Sequence, residues 1–126
     1  VTAEHLRNLE RLCHTCVYVC GGYNGTEACH SVEKLGPAGR RSISAQIDLR
    51  DGEWEAVPPM RVQRQQGTTA VLQQRIFVCG GWDGVHALSS VECFDPHTRI
   101  WAARPPLPER RSGAAAATLG GRLYIC

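Results

Sequence analysis

The feature that most constrains this chain is a short segment that recurs at fixed spacing. VYVCGG at residues 17–22 returns as IFVCGG at residues 76–81, and LYIC at residues 123–126 begins a third copy. The second and third copies lie 47 residues apart, while the first two are separated by 59, so the first unit carries 12 extra residues. A period of this length with short strand patterns inside it predicts stacked β units rather than a helical repeat.

Four strand patterns fall within the second unit. Small and β-branched residues at 67–72 precede an apolar run at 75–79, with Gln73-Gln74 as the turn between them. Residues 91–95 alternate apolar and polar, and residues 100–103 surround a tryptophan after a turn at 95–98. These patterns predict one four-stranded antiparallel sheet per unit. The chain is therefore expected to be all-β, with about two and a half blades of a β-propeller.

The combined landmarks resemble the kelch repeat. A glycine pair closes the second strand, an aromatic residue lies two positions before the cysteine, and a tryptophan follows the glycines by about 20 residues. The resemblance covers residues 12–126 and is closest to the BTB-kelch substrate adaptors, so the fold expected is a partial kelch-type propeller. The expected units are a first repeat at residues 1–60, a second at 61–107 and the start of a truncated third at 108–126.

Two places depart from the repeat pattern. The N-terminal residues are not small and β-prone, and the spacing of Leu6, Leu9 and Cys13 suggests a short helix instead of a first inner strand. The 12-residue excess lies between Glu33 and Ile47 and includes glycine, proline and paired arginines at residues 35–42. We expect a surface loop there, with a strand resuming near Ile47.

Glycines and tryptophans at repeated positions have an expected structural role. Blades converge on an axis, so glycines at the ends of the second strands allow close backbone approach and positive φ. The tryptophans are expected to wedge between neighbouring sheets. The residues assigned to this role are Gly21, Gly22, Gly80, Gly81, Trp54 and Trp101.

Composition narrows the functional classes. The net charge of +2 is too small to indicate a nucleic-acid partner, and no apolar run is long enough for a membrane span, so neither partner is expected. The seven cysteines are odd in number and unevenly spaced, which favours reduced thiols in a cytoplasmic protein. Cys13 and Cys16 have the spacing of half a zinc site, but no second such pair follows, so we expect no metal and no cofactor.

Catalytic motifs are weak in this sequence. No Gly-x-Ser-x-Gly occurs, the five histidines are scattered, and no carboxylate pair falls in matching loops. We therefore expect no catalytic residue and no enzyme. A kelch-fold enzyme, such as a sugar epimerase or copper oxidase, remains the alternative from another class.

A candidate binding surface lies in the loops. Arg64 and Arg111 share one repeat position, and by resemblance to kelch substrate receptors they face a pocket and pair with acidic groups of a bound peptide. Tyr23, Asn24, Trp82 and Asp83 follow the glycine pairs and would complete the rim. The alternative is that both arginines are solvated or hold neighbouring loops together.

The resemblance implies a protein-protein interaction module. The expected role is substrate recognition for a cullin-type ubiquitin ligase adaptor, with the cullin contact made by domains absent from this chain. An actin- or scaffold-binding kelch protein is the alternative within the binding class.

Overall fold

The structure is a computed structural model that describes residues 16–36 and 53–126. All regular structure within these ranges is β, and no helix occurs in them. The chain forms two compact units, Val1–Val19 with Glu33–Ala56 (unit 1) and Cys20–Val32 with Val57–Cys126 (unit 2). The strands are β1 (Val17–Cys20), β2 (Val32–Gly36), β3 (Glu53–Val57), β4 (Thr68–Leu72), β5 (Arg75–Cys79), β6 (Val91–Asp95), β7 (Ile100–Arg104), β8 (Ala116–Leu119) and β9 (Arg122–Ile125).

The second repeat forms a four-stranded antiparallel sheet in the order β4-β5-β6-β7. The expected all-β fold is confirmed here, and each strand lies within one residue of its predicted bounds. Gln73 and Gln74 have φ values of 50° and 60°, the positive values that a tight two-residue hairpin turn requires. The turn matches the strand twist, which fixes the register of β4 against β5 at Leu72 opposite Arg75.

The β4–β7 sheet has two different faces, because alternate residues of a strand point to opposite sides. On the first face, Ile76, Phe94 and Trp101 are cross-strand neighbours and all three are buried. The Phe94 and Trp101 rings lie 5.0 Å apart, and the Trp101 indole N–H donates to the Pro58 carbonyl at 2.7 Å. This face therefore packs on the segment that precedes β4.

Two smaller sheets flank the second repeat in sequence. One has the order β1-β2-β3, and the other is the β8-β9 hairpin. Leu35 and Gly36 belong to β2, and Leu35 is buried, so the expectation that these two residues start a surface loop is wrong. Val32 and Leu35 are three residues apart and therefore lie on opposite faces of β2, and both are buried. The predicted N-terminal helix, the rest of that loop and the strand near Ile47 lie outside the described residues.

Candidate functional site

Four backbone segments of unit 2 form the candidate site, two loops and two linkers. The hydrogen bonds between the first loop and the first linker recur between the second loop and the second linker. The four segments are the first rim loop (residues 22–29), the second rim loop (81–88), the first linker (60–66) and the second linker (107–113); together they are called the rim. The Gly22 amide donates to the Arg64 carbonyl at 2.7 Å, and the Gly81 amide donates to the Arg111 carbonyl at 2.7 Å. Each linker is therefore fastened to the rim loop of the preceding repeat in the same way.

The second glycine pair explains why this fastening needs glycine. Gly80 has a φ of +63°, and a Cβ added to it would collide with the Arg111 carbonyl oxygen. Gly81 has a φ of +102°, and a Cβ there would lie 2.8 Å from the carbonyl oxygen of Gln65. Positive φ and close backbone approach both exclude larger residues at these positions.

The four segments form one continuous surface. Gln65 and Trp82 exchange two backbone hydrogen bonds, at 2.9 and 2.8 Å, which join the first linker to the second rim loop. The Gly113 amide donates to the Gln66 carbonyl at 2.9 Å, so the first linker also contacts the second. The rim thus runs from the first rim loop through both linkers without interruption.

Asn24 and Asp83 shape the rim loops through their side chains. Asn24 Oδ1 accepts the amide hydrogens of residues 26 and 27, both at 2.9 Å. Asp83 Oδ1 accepts those of Val85 and His86 at 2.8 and 2.7 Å, and these hydrogen bonds lower the pKa of the Asp83 carboxyl. One oxygen of each side chain therefore has a local structural role.

The aromatic residues of the rim remain accessible. The Tyr23 side chain, in the first rim loop, is 61% exposed. Trp82 holds the matching position in the second rim loop and is half-buried, and its backbone also pairs with Ala87. Both rings project from loops whose backbone is fixed by hydrogen bonds.

Arg64 does not belong to the accessible surface, which corrects its expected role as a residue that pairs with a bound peptide. Its side chain is 1% exposed and donates Nη2–H to Glu92 at 2.9 Å. Nη1 donates to the carbonyl oxygens of Gly80 and Ser90, at 2.8 and 2.9 Å. The guanidinium is buried inside unit 2 and bonds to Glu92 and to two carbonyl groups, in agreement with the alternative in which the arginine holds neighbouring segments together.

Glu92 is the structural residue that the sequence analysis missed. Its carboxylate is 3% exposed and accepts hydrogen bonds from the backbone amides of Arg61 and Val62, at 2.8 and 3.3 Å, as well as from Arg64. A buried carboxylate is stable only when paired and hydrogen-bonded, and this one is. The sequence contained a pattern that could have identified Glu92. Glu92 is the last residue of a Ser-Val-Glu segment that recurs between repeats, as the arginine position does.

Arg111 differs from Arg64 although the two share a repeat position. Its side chain is exposed, and no ion pair of Arg111 occurs among the residues that the structure describes. The neighbouring Arg110 and Ser112 are also exposed, and Ser112 donates to the Gln66 side chain at 2.9 Å. The second linker therefore offers cationic side chains to solvent.

The two tryptophans expected to wedge between sheets have different environments. Trp101 is 5% exposed and packs in the core of unit 2. Trp54 is 53% exposed on β3, so the expectation of a buried wedge is corrected at this position.

The described ranges hold no group of three or more His, Cys, Asp or Glu residues arranged to bind a metal ion. Cys13 lies outside these ranges, and Cys16 is a free thiol. Burial raises the pKa of the Cys20 thiol to about 11 and also raises that of Cys79, so these thiols stay protonated at neutral pH. No helix among residues 16–36 and 53–126 is long and apolar enough to cross a membrane.

Comparison with known proteins places these features in a family. The family model "Kelch motif" matches residues 63–108, which contain the whole β4–β7 sheet and Arg64 with Glu92. Human Kelch-like protein 35 is 42% identical over 72 residues, which are 57% of this chain and 12% of that protein. Zebrafish (Danio rerio) Kelch-like protein 26 is 30% identical over 123 residues, 97% of this chain and 20% of that protein.

A solved structure supports the fold independently. The structure of YjhT superposes on 84% of this chain with a TM-score of 0.64 and 18% sequence identity, and the match covers 32% of the YjhT chain. Identity this low supports the fold alone. The chain spans about an eighth to a fifth of the length of the two curated relatives.

Proposed function

We propose that this chain, which belongs to the kelch-repeat family and has the partial β-propeller fold, binds a partner protein through its rim. The observation that carries the proposal is the combination of a backbone fixed by hydrogen bonds with aromatic and arginine side chains left accessible on it. Tyrosine, tryptophan and arginine are the residues most enriched where binding energy is concentrated in protein interfaces.

A pre-formed loop backbone favours binding because little conformational entropy is lost on association. Asn24 and Asp83 hold the two rim loops in shape before any partner arrives. Tyr23 and Trp82 would then supply the apolar contact area, since each ring has few rotatable bonds.

The charge of the rim favours a partner segment with carboxylates. Arg111 and Arg110 are exposed on the second linker, and a guanidinium can bind a carboxylate through two parallel hydrogen bonds. Arg64 has a structural role and does not contact the partner, because it is buried and its donors bond to Glu92 and to two carbonyl groups. The proposed ligand is therefore an acidic peptide segment of a protein.

The wider role follows from the resemblance to BTB-kelch adaptors. In the parent protein the rim would recognise a substrate for a cullin-type ubiquitin ligase, and domains outside this chain would contact the cullin. We propose a non-enzymatic role in the cytoplasm, where the free thiols of this chain would stay reduced.

The test measures binding of short peptides of graded acidic content to the 126-residue chain by calorimetric titration. Arg111→Glu should weaken binding of the most acidic peptide by more than about tenfold, because it replaces attraction with repulsion. Arg122→Glu is the matched control, since Arg122 is exposed on β9, outside the rim, and the substitution changes net charge equally. Tyr23→Ala should weaken binding of acidic and neutral peptides alike.

Equal losses for Arg111→Glu and Arg122→Glu would contradict the proposal, because they would indicate non-specific attraction to net charge. Unchanged binding in both Arg111→Glu and Tyr23→Ala would exclude the rim as the binding surface.

A further inference from the structure

The second rim loop is preceded by a peptide group that joins two glycines. Gly80 and Gly81 have φ values of +63° and +102°, and glycine has more conformational freedom than any other residue. Because neither residue has a side chain that restricts the peptide plane, contacts from other segments must set its orientation. That orientation matters for the rim, since Trp82 follows directly in the chain.

Two hydrogen bonds from other segments hold this peptide plane. The Gly80 carbonyl accepts from Arg64 Nη1 at 2.8 Å, and the Gly81 amide donates to the Arg111 carbonyl at 2.7 Å. The first linker therefore holds one polar group of the plane through a side chain, and the second linker holds the other through its backbone. Consecutive hydrogen bonds of this kind strengthen one another, because each polarises the next.

The same nitrogen of Arg64 also bonds to the other end of the second rim loop. Nη1 donates to the Ser90 carbonyl at 2.9 Å, and this carbonyl also accepts the Gly80 amide at 3.0 Å. Gly80 and Ser90 lie on either side of the loop in the chain. One buried donor group thus joins the two ends of the loop.

Glu92 orients the guanidinium for these contacts. Nε and Nη2 of Arg64 both donate to Glu92 Oε2, at 3.3 and 2.9 Å, which fixes the plane of the guanidinium. The third nitrogen, Nη1, then points to the carbonyl groups of Gly80 and Ser90. A lysine ammonium could keep the charge opposite Glu92 but lacks this planar set of donors.

We propose that Arg64 is the positioning residue of the rim: it fixes the Gly80–Gly81 peptide plane and so places Trp82 and Arg111 in the arrangement that binds an acidic segment. This inference rests on the proposed function and adds how the binding surface keeps its shape. Arg64 acts through the other residues, because its own side chain is 1% exposed. It raises affinity by removing conformational freedom that the second rim loop would otherwise lose on binding.

Amide hydrogen exchange tests the positioning directly. In Arg64→Lys, exchange at Gly81 should become at least about tenfold faster relative to exchange at Val78 in β5, since one lost hydrogen bond changes a local opening equilibrium by about that factor. Ile76→Val is the control for a general loss of stability, because it removes one buried methyl group near the start of β5. It should not raise the ratio of Gly81 to Val78 exchange.

A double variant keeps the test decisive if the lysine variant folds poorly. Arg64→Met combined with Glu92→Leu leaves no buried carboxylate without a partner, so this chain should keep much of its stability. It lacks the donor to the Gly80 carbonyl, so the ratio of Gly81 to Val78 exchange should rise in this chain as well.

Calorimetric titration with the most acidic peptide tests the consequence for binding. Arg64→Lys should weaken binding about three- to tenfold, the cost of ordering an additional side chain on association. The salt dependence of the dissociation constant should stay that of the wild type, because the exposed charges of the rim are unchanged. Arg111→Glu should change affinity and salt dependence together, and Ile76→Val should bind like the wild type.

Two results would overturn the inference. An exchange ratio that keeps its wild-type value in both Arg64 variants would show that the guanidinium does not fix the peptide plane. A raised ratio with unchanged peptide affinity would show that binding does not depend on this positioning. A wild-type chain that binds no peptide would refute the proposed function and the binding part of this inference, whereas the exchange ratio, measured without peptide, tests the positioning alone.

Discussion

Trp54 and Trp101 occupy the same repeat position but have different environments. Trp101 is 5% exposed, stacks on Phe94 and donates to Pro58, whereas Trp54 is 53% exposed. The residue type is the same in both repeats, and so is the following Pro-Pro pair. The exposure of the ring differs between the two repeats, so the residue type at this position does not by itself decide burial.

Arg64 and Arg111 extend the comparison to charge. Their backbones make equivalent hydrogen bonds, to the first and second rim loops. The Arg64 side chain also donates hydrogen bonds to a glutamate and two carbonyl groups, while the Arg111 side chain is exposed. The same residue is therefore a buried support in one repeat and an accessible contact in the next.

The largest difference between the two arginines should appear in stability. Arg64→Met leaves Glu92 as a buried carboxylate without its partner, which should lower the free energy of unfolding by about 3 to 5 kcal/mol. Arg111→Met removes an exposed charge and should change it by no more than about 0.5 kcal/mol. Urea denaturation of both variants measures the two values.

If both substitutions changed the free energy of unfolding by the same small amount, the Arg64–Glu92 ion pair would contribute no more to stability than an exposed residue does. Combining Arg64→Met with Glu92→Leu sharpens the result. Because the double variant removes both charges, much of the lost stability should return.

The glycine pairs allow a second comparison, with an intermediate effect. Gly22 and Gly81 have similar φ values, +107° and +102°, but an added Cβ meets backbone atoms within about 3 Å only at Gly81. Alanine at either position should cost about 1 to 3 kcal/mol in backbone strain. Gly81→Ala should cost about 1 to 3 kcal/mol more because of steric overlap.

Thermal and urea unfolding of Gly22→Ala and Gly81→Ala would measure that difference. Equal losses would mean that the backbone at Gln65 and Gly67 moves away from the added methyl group without cost.

The smallest effect concerns pH. Burial raises the pKa of Cys20 from 9.0 to about 11, so the folded chain holds this proton more tightly than the unfolded chain does. The resulting stabilisation is complete below about pH 9 and should be lost as the pH rises through about 11. Denaturation of the wild type and Cys20→Ala between these pH values tests this, and the variant should lose less stability. A parallel decline in both chains would contradict it.

The sheet of the second repeat was predictable from the sequence because it depends on local patterns. Alternation at residues 91–95 and the Gln73-Gln74 turn both act over a few residues, and all four strand positions are confirmed. The direction of the Arg64 side chain was not predictable, since its partner Glu92 lies 28 residues away and a repeat position does not reveal which side of the backbone a side chain takes. The exposure of Trp54 likewise depends on contacts that periodicity does not encode.

Arg64 makes hydrogen bonds to two consecutive repeats. Its amide and carbonyl groups bond to Cys29 and Gly22 of the earlier repeat, while its guanidinium bonds to strands and turns of the later one. Arg64 thus helps to couple the melting of adjacent repeats, as in a chain of nearest-neighbour interactions. Loss of order in either repeat should propagate to the other through the linker that contains Arg64, so the two repeats should melt as one cooperative unit.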